Sequence, residues 1–345
     1  MGYNELRKDY LLNRWVVIAT ERSRRPTDFA KQKTESKQDS ACPLCAGNEH
    51  LTPAAVLLYL KQNGEIKKSK DKNGTRPQNW LIRVIPNLYP AFTPPKDPLE
   101  KTQIMKNESY GYAIGHHEVL VESPNHDEDP ADAELPQLAL LINAYIDRFR
   151  ELSAKHYVQY VSIFRNYGKE AGASLSHAHS QIIAMPTIPR IPAEEITASK
   201  EFYDQYKKCI FCDLIEKETK SSRLVLENAH FAVFAPYASV NPLEFWIFPK
   251  KHASNILGLS KPEIEAFALT LKTSLKAIKD LVNDPPYNYS FHLSVNNGAE
   301  KFYHWHLEVY PCLSIRAGFE KSTGMYINTV KPETSAAEIR KTIKC

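Results

Sequence analysis

The feature that most constrains the fold of this 345-residue chain is a hidden internal repeat. Each half carries a Cys-x-x-Cys pair, a glutamate eight positions before a histidine, a helical pattern and a His-x-His motif, in that order. His126 and His177 are 51 positions apart, and His252 and His304 are 52 apart. Because this period is far longer than that of a solenoid, the sequence predicts two copies of one domain rather than an array.

The predicted domains cover residues 1–193 and 194–345. Apolar residues recur at helical spacing over 133–155 and again over 262–282, which predicts one amphipathic helix in each half. Residues 61–79 are rich in Lys, Asn and Gly, and are predicted to form a solvated connection.

The composition is that of a soluble globular protein, with 43% apolar and 24% charged residues. A net charge of +4 is too small to indicate a nucleic-acid surface but suits a small anionic substrate. The chain has no apolar run of membrane-spanning length and no hydrophobic signal at its start, so we expect a cytoplasmic protein that does not contact membranes.

Four of the six cysteines lie in the two Cys-x-x-Cys pairs, which in a reducing compartment indicates metal or redox chemistry. With the repeated histidines they form two closed tetrahedral sets of the kind that hold structural zinc. The predicted ligands are Cys42, Cys45, His126 and His177 in one site, and Cys209, Cys212, His252 and His304 in the other. The alternative is that one pair is incidental or redox-active. Cys312 and Cys345 are expected to be free thiols.

A Gly-Ala-Ser loop followed by a strand places His177, His179 and Gln181 on one strand face. Burying two imidazoles and an amide without partners costs free energy, so the grouping needs an explanation. Metal ligation, nucleophilic catalysis and phosphate binding are three explanations, and a pair of hydrogen-bonded core histidines is the alternative. If His177 binds zinc, the neutral imidazole of His179 is free to attack phosphorus. The labile phosphorus–nitrogen bond would then pass a nucleotidyl or phosphoryl group to a second acceptor.

Several nearby groups are suited to phosphate binding. The Gln181 amide, the Ser174 hydroxyl and the backbone amides of residues 172–174 can donate hydrogen bonds to phosphate oxygens. Arg22 and Arg25 suit a diphosphate, although a solvated basic turn is an equal interpretation.

The second copy is predicted to have lost catalysis. His306 takes the place of the nucleophile there, but no Gly-Ala-Ser loop precedes it. Glu308 stands where Gln181 stands in the first copy.

These motifs resemble the galactose-1-phosphate uridylyltransferase family of the histidine-triad superfamily. The resemblance covers nearly the whole chain, and its most specific part runs from Asn166 through Gly172 and Ser174 to His-Ala-His-Ser-Gln at 177–181. It also includes Arg-Ser-Arg-Arg-Pro at 22–26, Asn87 and Ser-Pro-Asn-His at 123–126.

The resemblance implies an α+β fold of two tandem histidine-triad-like domains, with an antiparallel half-barrel sheet and packed helices, and a homodimer. It implies a ping-pong transfer of UMP from UDP-glucose to His179 and then to galactose 1-phosphate. By the same resemblance Arg22 and Arg25 hold phosphates, and Asn87 contacts the nucleoside. Asn166, Gly172, Ser174 and Gln181 would surround the α-phosphate.

Uridylyl transfer between UDP-glucose and a hexose 1-phosphate is the leading expectation, and the departures from the family pattern point to an alternative activity. Familiar members have His-Pro-His-Gly-Gln and an Asn-Asp pair, whereas this chain has His-Ala-His-Ser-Gln, and Leu88 follows Asn87. Residues 318–328 look more like the ADP-glucose phosphorylase branch, in which phosphate removes AMP from the histidine. Phe319 and Glu320 are candidates for sugar binding. A non-catalytic nucleotide-binding zinc protein and a histidine-triad hydrolase remain as further alternatives.

Overall fold

The computed structural model describes residues 3–19, 29, 42–72, 74–96, 110–295 and 298–343. The α+β prediction is confirmed: strands of one large antiparallel sheet and one small sheet pack with six helices in this described part of the chain. Arg22, Arg25 and Cys345 lie outside the described residues.

The large sheet contains eleven strands. They are β3 (Leu57–Gln62), β4 (Glu65–Ser69), β5 (Trp80–Pro86), β6 (His116–Val121), β7 (Tyr160–Tyr167), β8 (His179–Met185), β9 (Leu224–Glu227), β10 (Phe231–Phe234), β11 (Phe245–Pro249), β12 (Tyr287–His292) and β13 (His306–Pro311). Their order is β4-β3-β5-β6-β8-β7-β12-β13-β11-β10-β9, and every neighbouring pair is antiparallel.

The strand order is mirrored about the central pair β7 and β12. Moving outward on one side gives β8, β6 and β5, and on the other side β13, β11 and β10. These are the strands that the repeated sequence landmarks pair with one another. The two halves therefore share one topology, and the β7–β12 ladder, with Asn166 opposite Asn288, joins them into a single sheet.

The remaining elements complete the fold. The helices are α1 (Leu135–Ser153), α2 (Arg190–Tyr206), α3 (Ile210–Glu218), α4 (Lys261–Val282), α5 (Gly318–Thr323) and α6 (Pro332–Thr342). The small sheet consists of β1 (Glu5–Lys8), β2 (Trp15–Ile18) and β14 (Tyr326–Asn328), in which β14 pairs with β2 in parallel.

The two predicted amphipathic helices are observed as α1 and α4, within two residues of the predicted bounds. Their apolar faces, including Leu141 and Phe149 of α1 and Phe267 and Leu271 of α4, are buried in one hydrophobic core. Because that core includes residues from both halves, the halves are stabilised together. No helix in the described ranges is long and apolar enough to cross a membrane.

The prediction of a solvated connection over residues 61–79 is wrong in its first part. Leu57–Gln62 and Glu65–Ser69 form a hairpin at the edge of the large sheet. Asn63 and Gly64 form its two-residue turn with φ of 50° and 83°, the conformation that Asn-Gly favours. Its lysines fit an edge strand, where charge discourages pairing with another chain. The Asn-Gly signal was present in the sequence.

A buried ion pair attaches α1 to the sheet. Arg148 donates two hydrogen bonds to Glu118, at 2.6 and 2.7 Å, and both side chains are less than 5% exposed. We expect Arg148→Met to lower the free energy of unfolding by about 3–5 kcal/mol, because Glu118 keeps a buried charge without its partner. Urea denaturation monitored by circular dichroism measures this change.

The matched control is Arg150→Met, two positions along the same helix. Arg150 is 57% exposed and its pair with Asp147 lies at the surface, so the loss is expected to stay below about 1 kcal/mol. Equal losses in the two variants would contradict the assigned importance of the buried pair.

Candidate active site

His179 begins β8 and is held in one orientation. Its Nδ1 lies 2.7 Å from the backbone carbonyl of His177, which can only accept, so Nδ1 carries the proton and Nε2 has the free lone pair. The side chain is 7% exposed, and this burial lowers its pKa, against the opposing effect of the hydrogen bond to His177. The arrangement presents a neutral imidazole with one defined nucleophilic atom.

His179 lines a cavity of about 810 Å³ that both halves of the chain enclose. The first half contributes the loop after β7, including Asn166 and Ser174. The second half contributes the end of α4 and the segment after β13, including Cys312. This volume is of the size that holds a small-molecule substrate.

The loop between β7 and β8 is folded tightly against the second half. A Cβ on Gly168 would lie 2.8 Å from the Cβ of Pro286, and Gly168 has a φ of 83°, so only glycine fits there. The backbone N–H groups of Gly172 and Ala173 donate to the carbonyls of Lys169 and Gly168. This differs from the expectation that these two N–H groups face a phosphate, because the turn uses them internally.

Gln181 is fixed by a residue for which the sequence suggested no role. His117 accepts the Ala91 N–H on Nδ1 at 3.1 Å, so its Nε2–H donates to the Gln181 side-chain oxygen at 2.8 Å. Asn87 lies 3.2 Å from the same Nε2. The cross-strand contact therefore brings Asn87 and Gln181 together around His117, although neither lines the cavity.

Phe319 and Glu320 are not brought to this cavity. Both lie on the short helix α5, where Phe319 is 44% exposed. Glu320 caps its own helix by accepting the N–H of Ala317 at 3.0 Å.

The first predicted metal set converges. The ligand atoms of Cys42, Cys45, His126 and His177 all lie within 4.8 Å of one another. The Sγ of Cys45 is 3.2 Å from Nδ1 of His126 and 3.5 Å from Nδ1 of His177. Tetrahedral zinc with ordinary bond lengths requires about 3.5 Å between sulfur and nitrogen ligands, so the spacing fits.

The two histidines of this set are oriented by outer hydrogen bonds. Nε2 of His177 lies 2.8 Å from the Ser123 carbonyl, and Nε2 of His126 lies 2.9 Å from Oγ of Ser176. The carbonyl fixes the proton of His177 on Nε2, and both rings turn Nδ1 toward the sulfurs. This is the outer-shell pattern of histidines that bind metal.

The second predicted set has the same geometry. Cys209, Cys212, His252 and His304 also converge within 4.8 Å. Nε2 of His252 donates to the Glu300 carbonyl and Nε2 of His304 to the Pro249 carbonyl, each at 2.8 Å. Cys209 is the residue before α3, so this pair sits at a helix start, a position that the sequence did not predict.

A third group capable of holding a cation was missed from the sequence. Glu195, His292, His306 and Glu308 are all buried, with one ligand atom each within 4.8 Å of the others. Burial alone would lower the pKa of His292, but Glu195 and Glu308 raise it to about 9. The only local signal of this group in the sequence is the His-x-Glu pair of His306 and Glu308 on β13. Glu195 and His292 are 97 positions apart, so no sequence spacing links them.

The second-half counterpart of His179 is buried and does not line the cavity beside His179. His306 is 1% exposed, and its ring stacks on Phe248 at a centroid distance of 4.7 Å, with Trp246 at 5.6 Å. A phosphate has no access to this imidazole, which agrees with the predicted loss of catalysis.

Comparison with known proteins finds a matching family model and relatives along nearly the whole chain. Residues 98–344 match a family model described as a domain of unknown function, DUF4921. An ADP-glucose phosphorylase of Arabidopsis thaliana is 35% identical over 97% of this chain and 92% of its own. A galactose-1-phosphate uridylyltransferase of Thermotoga maritima is 32% identical over 98% of each chain.

The solved structures agree with the sequence comparison. The crystal structure of an Arabidopsis thaliana ADP-glucose phosphorylase with bound ADP-glucose has a TM-score of 0.81 and 31% identity, covering 99% of each chain. The resemblance read from the motifs is thereby confirmed. The chain belongs to the galactose-1-phosphate uridylyltransferase family, a family of nucleotidyltransferases.

Proposed function

We propose that this protein transfers a nucleoside monophosphate from a nucleotide hexose through a covalent adduct on His179. The observation that carries the proposal is the fixed tautomer: Nδ1–H is held by the His177 carbonyl, which leaves Nε2 as the nucleophile at the cavity wall. The same hydrogen bond stabilises the positive charge that the ring gains in the adduct.

The transfer takes two displacements. Nε2 attacks the α-phosphorus of the donor, and the bond from that phosphorus to the bridging oxygen breaks, so that hexose 1-phosphate leaves with the electron pair. An anionic acceptor then attacks the same phosphorus, and the phosphorus–nitrogen bond breaks. Ser174 and Asn166 line the cavity and are the proposed donors to the phosphate oxygens.

We place ADP-glucose first as donor, with inorganic phosphate as acceptor. Two relatives support this choice of donor. One is the ADP-glucose phosphorylase that is 35% identical to this chain, and the other is the ADP-glucose-bound structure with a TM-score of 0.81. Transfer of UMP from UDP-glucose to galactose 1-phosphate is the second candidate, and the Thermotoga maritima relative, aligned over 98% of both chains, favours it.

Intact-mass spectrometry after incubation with ADP-glucose, UDP-glucose or neither tests the function. We expect an acid-labile gain equal to AMP with ADP-glucose, absent in His179→Ala. The matched control is His306→Gln, which changes the buried counterpart of His179 and is expected to keep the adduct. A gain equal to UMP alone would assign the second candidate instead.

Two outcomes would contradict the proposal. No gain with either sugar nucleotide, in folded wild-type protein, would indicate a non-catalytic nucleotide-binding protein. An adduct that disappears in water as quickly as it does with added phosphate or hexose 1-phosphate would indicate a hydrolase.

We further propose that the two Cys₂His₂ sets hold structural zinc. The sulfur–nitrogen spacing and the oriented histidines support this assignment, and four filled positions leave none for a reacting water. Chelation or loss of one ion would therefore act on stability, since the metal links segments distant in sequence.

Metal analysis of Cys45→Ser and Cys212→Ser tests the zinc sites. We expect about two zinc ions per wild-type chain, one fewer in each variant, and a fall of about 5–10 °C in the unfolding midpoint for each ion lost. Cys312→Ser, whose thiol lies outside all three groups, should keep both ions. Unchanged metal content in a ligand variant would contradict the zinc site to which that cysteine belongs. About three ions per wild-type chain would indicate that the group around Glu195 also holds a metal ion.

The remaining predictions stand as proposals. Arg22 and Arg25 would bind the donor phosphates. Asn87 would bind the nucleoside, and Phe319 and Glu320 the sugar, although none of these three side chains lines the cavity beside His179. We propose a cytoplasmic homodimer built from domains 1–193 and 194–345, a boundary that falls in the first turn of α2. Light scattering on the purified protein measures the assembly.

A further inference from the structure

A side chain from the second half sets the orientation of an amide in the first-half cavity. Asn288 lies on β12 directly opposite Asn166 on β7. Its Nδ2 is 2.8 Å from Oδ1 of Asn166 and 2.8 Å from the Ala171 carbonyl. Its Oδ1 accepts the Cys312 thiol at 3.3 Å. Both N–H groups and the oxygen of Asn288 are thus engaged.

The Ala171 carbonyl decides which way both amides point. A backbone carbonyl can only accept, so the nitrogen of Asn288, and not its oxygen, must face it. The thiol that donates to the Asn288 oxygen supports the same orientation. The second N–H of Asn288 then needs an acceptor, and this turns Oδ1 of Asn166 toward it.

The consequence appears at the other end of the Asn166 side chain. With its oxygen held by Asn288, Asn166 directs its NH₂ group toward the loop, where a Cβ on Gly172 would be 3.9 Å from Nδ2. Asn166 lines the cavity together with His179 and Ser174. A donor in that place attracts an anionic phosphate oxygen, whereas a flipped amide would present an oxygen and repel it.

We propose that Asn288 is a positioning residue of the transferase: it fixes Asn166 as a hydrogen-bond donor to the α-phosphate and so makes the second half a working part of the active site. The inference rests on the proposed function of His179. It gives the catalytically silent half a defined task in the reaction, which is orientation of the phosphate site.

The test compares the rate of adduct formation in Asn288→Ala and Asn288→Asp by quenched-flow mass spectrometry, with ADP-glucose and UDP-glucose as donors. We expect adduct formation to slow about tenfold in Asn288→Ala, because the Asn166 amide loses its fixed orientation. We expect about a hundredfold loss in Asn288→Asp, because a carboxylate cannot donate and forces Asn166 to turn its NH₂ away from the phosphate. The loss should fall on kcat more than on KM.

Matched variants separate positioning from folding. Ser290→Ala, two residues along the same strand face, should keep the wild-type rate. In an Asn166→Ala background, Asn288→Ala should cause no further loss, since the residue that it positions is gone. Asn288→Asp is nearly isosteric, and Asn288→Ala carries the test alone if thermal unfolding shows that Asn288→Asp does not fold.

The outcomes distinguish the positioning role of Asn288 from the proposed transfer through an adduct on His179. Wild-type adduct formation with unchanged rates in the Asn288 variants would overturn the inference alone. Additive losses in the double variant, or an Asp variant as fast as the Ala variant, would overturn it as well. Absence of any adduct on wild-type protein would overturn the function and the inference together.

Discussion

The ladder between β7 and β12 is the interaction on which the rest of this structure depends. It joins two halves of the same topology into one eleven-stranded sheet and gives them a common core. The same pairing brings Pro286 against Gly168 and Asn288 against Asn166. The cavity beside His179 therefore exists only when both halves are folded, although His179 itself belongs to the first half.

The two halves keep the same backbone plan and differ in what covers the second histidine. In the first half a glycine-containing loop leaves space beside His179. In the second half the rings of Phe248 and Trp246 pack against His306, and Glu308 stands beside it. The strand order is thus the same in both halves, but His179 lines a cavity whereas His306 is enclosed by aromatic side chains.

The sequence predicted α1 and α4 from local periodicity, and it predicted the two Cys₂His₂ sets because the same ligand types recur in the same order in both halves. It did not predict groups that only strand pairing assembles. His117 meets Gln181 across β6 and β8, and Glu195 of α2 reaches His292 of β12. Neither contact has a local period or spacing to reveal it. The Asn63–Gly64 hairpin is different, because the Asn-Gly turn signal is present in the sequence itself.

The converged cysteines and histidines also have a consequence for how the chain reaches its native state. Cys42 and His177 are 135 positions apart, and Cys212 and His304 are 92 apart. Closing such long loops is slow and entropically costly, so neither ligand set can form early in folding. A cation captured by all four ligands would mark a chain whose sheet is already assembled. Metal uptake would then report completed folding rather than initiate it, unlike the zinc fingers, which are unfolded without metal.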